Sequence, residues 1–321
     1  MKIVEIHLED LNTGDFIKQK VSEISSAVGE GLAVNALSGG VDSSVVTMLG
    51  HKALGTRLKT YFIDNGIMRE GEPQHIVSIF KNLGVEVSLI DAHTVFFRRL
   101  SGLTDPEDKR NAITQSFYKD VFGELVRDSC AKYLLQGTNY TDVEETVAGV
   151  KRQHNILAQL GIDTEKAFGY KVLEPIIQLR KTGVRRVARA LNLPEEICNR
   201  PPFPGPALAA RVIGEVTPNK IETVRKATRI VEEELADTTA FQYLAILHND
   251  KVTGIKEGKR AFGNQIEIRC FESKDAVTAT PTKIPYEILD ILADRITSEV
   301  PGVVSVTYNI TKKPPSTIEA V

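Results

Sequence analysis

Cysteine is scarce. The 321-residue chain has three, and Cys130, Cys198 and Cys270 are far apart with no CxxC pair, so neither a disulfide framework nor a zinc site is indicated and the cytoplasm is the expected compartment. Long apolar runs are missing too. The longest weakly charged stretch, residues 31–50, holds Asp42, a glycine pair and several serines, which excludes a transmembrane helix there. Glu5, Glu9 and Asp10 do not suit the basic-then-apolar layout of a signal peptide. No sign of charge dominates: 40 Lys and Arg face 42 Asp and Glu, a net charge of −2. Such a balance gives no global case for nucleic acid or an anionic membrane as partner, so any anion site has to be local. Of the histidines, His7, His51, His75, His93 and His248 stand isolated, which speaks against structural zinc. What is present is ordinary: 42% hydrophobic and 26% charged residues, a globular composition long enough for about two domains.

Periodicity orders the elements. Apolar positions from Phe16 to Val28 recur at helical spacing, with Thr13 as N-cap and Gly29 as stop. Strand 32–37, a Ser/Gly turn, helix 43–54 and strand 58–63 then make a βαβ unit. Helix 73–83, strand 85–90, a long helical region 106–131 and strand 133–136 repeat the theme, and strand 172–175 and helix 181–191 close it. The expectation is an α/β, doubly wound parallel sheet with ligands at the carboxyl ends of its strands. Residues 139–172 are polar and weakly periodic, which reads as a mobile lid. Pro201, Pro202, Pro204 and Pro206, interleaved with Phe203 and Gly205, exclude helix and sheet and mark a junction. Domains 1–205 and 206–321 follow. The second, smaller one is α+β: helix 218–235, strands 241–248 and 265–271, helix 285–300 and strand 303–310, with an antiparallel or mixed sheet.

The strongest chemical signal lies between the first strand and the first crossover helix: Ser38, Gly39, Gly40, Val41, Asp42, Ser43 and Ser44. Two glycines let the backbone curl with its N–H groups inward, the helix N-terminus adds partial positive charge, and three hydroxyls add donors. Phosphate suits such a cup. The pattern is neither GxxxxGK[ST] nor GxGxxG. Asp42 and Asp64 follow the first two strands, where a metal ligand or ribose contact would sit; for Asp64, followed by Asn65-Gly66, a plain turn is the alternative.

SGGVDSS in this context resembles the PP-loop of the N-type ATP pyrophosphatases. Within that group the chain is similar, nearly end to end, to the ATP pyrophosphatase subunit of GMP synthetase, of the two-subunit type lacking a fused glutaminase. The similarity runs through IDNGIMREGE (63–72), GLTDPEDKR (102–110), LLQGTNYTDVEET (134–146), LEP (173–175), RPPFPGPALAARVIGEVTP (200–218) and YNITKKPPSTIE (308–319). The resemblance implies adenylation of a purine nucleotide carbonyl by ATP with release of pyrophosphate, then displacement of AMP by ammonia, converting XMP to GMP. It implies ATP and Mg²⁺ as cofactors, with Ser38, Asp42 and Lys151 as catalytic residues. The loop from Ser38 to Ser44, Asp64, Gly137 and Thr138 would bind ATP and pyrophosphate. Asp142 and Glu145 would join Asp42 at Mg²⁺; a solvated acidic face is the alternative for that pair. Arg200, Pro204, Gly205, Arg211, Lys313, Thr317 and Glu319 would bind the acceptor nucleotide. Implied partners are a second copy in a homodimer and a separate glutamine amidotransferase subunit.

Departures from the family pattern gather on the acceptor side. The lid's IKSHHNVGGLP reads VKRQHNILA (150–158), keeping Lys151, His154 and Asn155. Ala207 stands where glycine is usual, and its methyl would block a positive φ or close substrate approach. Ser305 and Asn309 replace an arginine and an aspartate, and the chain ends Ile318-Glu319-Ala320-Val321. A second reading therefore stays open: a paralog that activates a related nucleotide such as GMP or IMP and installs sulfur, with Cys198 or Cys270 carrying it and a sulfur-donor protein as partner. A third is a non-catalytic nucleotide-binding regulator.

Overall fold

Helix α1 (Thr13–Val28) shows the sequence logic at work. Phe16, Lys20, Ile24 and Val28 form its buried stripe, and Gly29 stops it at φ 57°. Its cap is Asn12 rather than Thr13: Asn12 keeps extended dihedrals and its side chain accepts from the Gly14 and Asp15 amides, whereas Thr13 is already helical. The computed structural model describes residues 3–147, 169–201, 203–256, 258–274 and 277–320. The chain divides into two units, Met1–Ile63, Pro73–Asp91 and Phe117–Arg200 forming one, and Asp64–Glu72, Ala92–Ser116 and Pro201–Val321 the other.

The first unit is built on a five-stranded sheet of order β3-β2-β1-β4-β5: β1 (Ala33–Ala36), β2 (Leu58–Asp64), β3 (Val87–Asp91), β4 (Tyr133–Leu135) and β5 (Lys171–Leu173). Strand β1 runs parallel to both β2 and β4, and β4 parallel to β5, as the alternation of strands and helices predicts. The order reverses between β1 and β4, which opens a crevice at their carboxyl ends. Helices α2 (Val41–Leu54) and α3 (Glu72–Asn82) follow β1 and β2. α2 is buried along Val45, Val46, Met48 and Leu49, the apolar saturation expected of a crossover helix packed on a sheet. The expected long helix 106–131 is broken: α5 (Pro106–Gln115) passes into a π-helical stretch, Ser116–Phe122, and then α6 (Gly123–Ser129). Cys130 ends it at φ 56°. Helix α4 (His93–Leu100) precedes them; at two turns, without a capping side chain, it gives too short a pattern to see in the sequence. Residues 140–147, inside the expected lid, form α7 (Tyr140–Val147). The rest of that segment through residue 168, with Lys151, lies outside the described residues. Helices α8 (Lys181–Ala190) and α9 (Glu195–Cys198) complete the unit.

In the second unit, β6 (Gln242–Lys256) and β7 (Lys259–Glu272) form a hairpin twice the expected length, because its outer arm is polar and carries no alternating signature. β8 (Thr280–Pro281) pairs antiparallel with β7 and β9 (Val303–Tyr308) parallel to it, so the sheet is mixed. α10 (Pro218–Glu234) and α11 (Tyr286–Glu299) supply the helical layer. Leu244, Ile246, Phe271, Ala279 and Ile318 form one core cluster of this unit. Among the described residues no helix is long and apolar enough to cross a membrane.

Candidate nucleotide site

The loop after β1 is organised by its own serines. Ser43 Oγ lies 3.0 Å from Ser38 Oγ, donates to the Gly40 carbonyl at 3.0 Å, and accepts from the Ser38 amide at 3.2 Å. Gly40 is the N-cap of α2 and brings no capping side chain, so the helix's first amides are not consumed by a cap. Beneath the loop runs a polar chain: Thr60 Oγ1 donates to Asn35 Oδ1 (2.7 Å), Asn35 Nδ2 to Thr47 Oγ1 (2.6 Å) and Thr47 Oγ1 to the Ser43 carbonyl (2.8 Å). Asn35, Thr47 and Thr60 are buried, so β1, α2 and β2 are locked in register under the serine turn. Gly39 has φ 75°, and a Cβ there would fall 2.5 Å from Arg200 Nη1; only glycine fits.

Around this cup stand four further groups of the same unit. A Cβ on Gly137 would meet the Asp42–Ser43 backbone at 3.2 Å, so the turn after β4 lies directly beside the loop after β1. Thr138 is fully buried and hydrogen-bonds Glu174, whose carboxyl is held above the usual carboxylate range by burial, an effect that the Thr138 bond opposes and the nearby Asp142 reinforces. Arg200 donates to the Gly39 carbonyl at 2.9 Å. Lys181 pairs with Asp42 Oδ2. The other oxygen of that carboxylate, Oδ1, is buried without a hydrogen-bond partner among the described residues. An orphaned hard carboxylate oxygen beside the serine loop fits a hard divalent cation such as Mg²⁺; among the described residues no group of three His, Cys, Asp or Glu forms a protein-only cage. Asp142 has a local task as well: Asn139 Oδ1 accepts from the Thr141 and Asp142 amides, and Asp142 Oδ2 accepts from the Asn139 amide at 3.0 Å. This is a reciprocal cap on α7. The Glu145 side chain lies outside the described residues.

The acceptor residues named from the sequence fall in both units. Arg200 belongs to the first unit and touches the serine loop. In the second unit Arg211, 1% exposed, pairs with Glu319 at 3.3 Å, and Gln242 donates to the same carboxylate at 2.7 Å. Phe203 lies 3.9 Å from the Arg69 guanidinium and 4.9 Å from that of Arg211. Arg269 donates to the Thr317, Ile318 and Glu319 carbonyls at 2.9–3.2 Å. Arg211 and Glu319 thus hold each other through Nε and Nη2, while the Arg211 Nη1 is buried without a hydrogen-bond partner among the described residues. Thr317 Oγ1 donates to the Glu319 carbonyl at 2.5 Å, and the backbone of Lys313 exchanges hydrogen bonds with Ala279. Pro204 and Gly205 lead into a short 3₁₀ turn, Ala207–Arg211. Ala207 there takes φ 50°; its methyl does not block a left-handed backbone but endures it. Asp64, at the end of β2, accepts from the Gly66 amide at 3.0 Å and pairs with His93 at 2.9 Å.

Two family models match. One, described as NAD synthase, covers residues 11–207, and one described as GMP synthase C terminal domain covers 228–320. The chain is 50% identical to a subunit of the glutamine-hydrolyzing GMP synthase of Archaeoglobus fulgidus, over 95% of this chain and 98% of that one. This chain belongs to the GMP synthase family. The corresponding GMP synthase subunit of Pyrococcus furiosus is 45% identical over 95% of this chain and 96% of its own. A longer relative, the glutamine-hydrolyzing GMP synthase of Pyrobaculum aerophilum, is 45% identical over 95% of this chain and 61% of its own length.

For a GMP synthase the two inner cysteines sit poorly for sulfur chemistry. Cys198 and Cys270 are both fully buried; Cys198 Sγ donates to the Leu193 carbonyl, and burial pushes both thiols above their ordinary range. A buried, protonated thiol is a poor nucleophile. Three site neighbours escaped the sequence reading. Lys181 and Glu174 come from segments after the lid, and Arg269 from mid-strand. The LEP motif flagged Glu174's position, but nothing local distinguishes Lys181 or Arg269 from a solvated cation.

Proposed function

We propose that this chain catalyses the ATP-dependent conversion of XMP to GMP. The observation that carries the reading is the serine-glycine loop at the reversal of strand order, closed by Gly137 and leaving one Asp42 oxygen unsatisfied. The purine oxygen at carbon 2 attacks the α-phosphorus of ATP, the bond from that phosphorus to the bridging oxygen breaks, and pyrophosphate leaves. Ammonia then adds at carbon 2, AMP departs with the oxygen, and the ring keeps the nitrogen. The loop from Ser38 to Ser44 holds the β- and γ-phosphates through inward amides and hydroxyls, stabilising charge as it gathers on the leaving group. Asp42 would hold Mg²⁺, which would supply neutralisation of phosphate charge when bound. Arg200 clamps the Gly39 carbonyl and with it the curl of the loop. Gly205, Lys313 and Thr317 are proposed to address the acceptor nucleotide, with Arg211, Gln242 and Arg269 fixing the tail that carries Lys313 and Thr317. Ammonia comes from a separate glutamine amidotransferase: the relatives of matching length are named as parts of a glutamine-hydrolyzing enzyme, and the longer Pyrobaculum relative extends beyond the match. A homodimer completes the proposal.

The test is pyrophosphate release and product mass with XMP, IMP and GMP, each with ammonium or sulfide, in the presence of Mg²⁺ and ATP. GMP formed from XMP and ammonium is the expected result. Release confined to another nucleotide, or a product carrying sulfur for oxygen, sinks the reading.

A further inference from the structure

Helix α10 carries two stripes. The apolar one, with Ile221, Val224 and Val231 buried, is what any amphipathic helix presents to a core. The other is charged: Arg225, Arg229 and Glu232 stand at i, i+4 and i+7 on one face, a pattern that in sequence passes for a solvated surface. In the structure all three reach one segment of the same unit, residues 64–72, into which the chain runs at the carboxyl end of β2. Arg225 donates from Nη2 to the Gly66 carbonyl at 2.6 Å and from Nε to the Met68 carbonyl at 2.9 Å. Arg229 pairs with Glu70 at 3.1 Å, and Glu232 with Arg69 at 2.6 Å. The Ile67 carbonyl accepts from the Leu208 amide at 2.9 Å. Three consecutive carbonyls of the turn are therefore held, two of them by one guanidinium, whose planar fork serves two acceptors in a fixed geometry.

We infer that Arg225 is a positioning residue for ATP: from α10 it fixes the turn that carries Asp64 and Asn65, so that the nucleotide meets that turn already in its binding shape. This rests on reading Asp64 as a nucleotide contact at the end of β2. The peptide between Gly66 and Ile67 is held at its oxygen by Arg225 and at its nitrogen by the Asn65 side chain, at 3.0 Å. The preceding peptide donates from the Gly66 amide to Asp64 Oδ1, also at 3.0 Å. Gly66 has φ 76°, and a Cβ there would fall 2.8 Å from the Phe97 ring, so the turn has no slack in which to reorient by itself. Glu222, one turn earlier on α10, takes the third nitrogen of Arg225 at 2.7 Å and keeps the fork aimed. Removing the guanidinium leaves two carbonyls without their donors and releases the peptide on which the Asn65 and Asp64 side chains close. Preorganisation of this kind is felt as weaker binding of the one ligand that uses the turn.

Steady-state kinetics of the whole chain with ATP, XMP, ammonium and Mg²⁺ tests this. Arg225→Met should raise KM for ATP at least about tenfold, while KM for XMP and the inhibition constant of inorganic pyrophosphate stay where they are, because Arg225 touches neither the serine loop nor the tail. Arg225→Lys keeps the charge without the fork and should fall between the two. An ATP KM that does not move in Arg225→Met overturns the inference. So does one that rises together with the XMP KM and the pyrophosphate constant, since a general loosening of the fold would do the same. Should Arg225→Met fail to melt cooperatively, Arg225→Lys carries the comparison, with a selective rise in the ATP KM expected and its absence decisive against. Asp64→Asn separates the inference from the reading beneath it. If that variant leaves the ATP KM unchanged, the nucleotide contact falls and the positioning role with it; if it raises the ATP KM and Arg225→Met does not, the positioning role alone falls.

Discussion

Residues 38–44 make the nucleotide loop out of consecutive positions, whereas the tail cluster of the second unit joins Arg211 to Glu319 across 108 residues. The first is a backbone device. Its curl, its free amides and its serine hydroxyls come from a stretch that can be read in one glance, and its support from Asn35, Thr47 and Thr60 lies on the elements flanking that stretch. The second is a side-chain device in which a buried guanidinium, a carboxylate, an amide and an aromatic ring meet only after the sheet of β6, β7 and β9 has formed. A functional loop can thus be recognised before folding is known, while a charge network cannot be told from surface charge until burial is.

The comparison is broken most severely at Asp42. Asp42→Asn should lower pyrophosphate release about a hundredfold or more while leaving a cooperative melt, since the side chain serves charge and not packing. Near-normal turnover would remove the loop from the mechanism. Next comes Arg211→Leu, which strips the partner from Glu319 in a poorly hydrated cluster. A loss of about 2–3 kcal/mol in denaturant unfolding is expected, and a loss below about 1 kcal/mol would make the network decorative.

A subtler difference separates the units in their response to pH. Lys109 is 1% exposed, donates to the Val212 carbonyl at 2.9 Å, and is drawn by burial, with Lys220 adding repulsion and Asp105 opposing, from 10.5 down to about 8. The unfolded chain therefore holds more protons than the folded one between about pH 8 and 10.5, so stability contributed at this site rises with pH through that window. Lys109→Met should flatten that rise by about 1–2 kcal/mol, read as the difference between the two proteins' unfolding free energies from about pH 7.5 to 10. An unaltered slope would show that Lys109 is charged to the same extent in both states.

The smallest effect is expected at Ala207. A left-handed alanine costs about 1–2 kcal/mol, and its buried methyl returns about 0.8 kcal/mol. Ala207→Gly should then stabilise the chain by about half a kcal/mol, seen as a small rise in melting temperature; a clear fall would mean that the methyl's packing, not the backbone, decides the position.

Much of the fold was legible. Strand and helix alternation through residue 136 placed β1, β2, β3, β4, α2 and α3 within a few residues, because a parallel sheet demands apolar strands joined by crossover helices. The π-helical stretch after Ser116 was not legible, since an extra residue in a helical turn leaves the apolar spacing nearly intact. Nor was the outer arm of the β6–β7 hairpin, where the face against Val304 is lined by Gly254 and Gly263, which carry no apolar side chain to mark it. In the site, Ser38 to Ser44 came from pattern and Gly137 from the family resemblance. The burial of Arg211 against Glu319 was not legible, because a sequence shows that an arginine is present but not whether water reaches it. Lys181 was missed because its relation to Asp42 spans 139 positions.

By itself, then, the sequence determined the order of the layers, the curl of the loop after β1 and the chemistry that loop invites, since each depends on neighbours along the chain and on the few backbone conformations open to glycine, serine and aspartate. Tertiary structure alone decided which cations serve the loop, which arginine is buried against the tail, and that Cys198 and Cys270 are sealed from solvent. Those outcomes depend on desolvation and on distances between remote segments, and neither exists until the chain has packed.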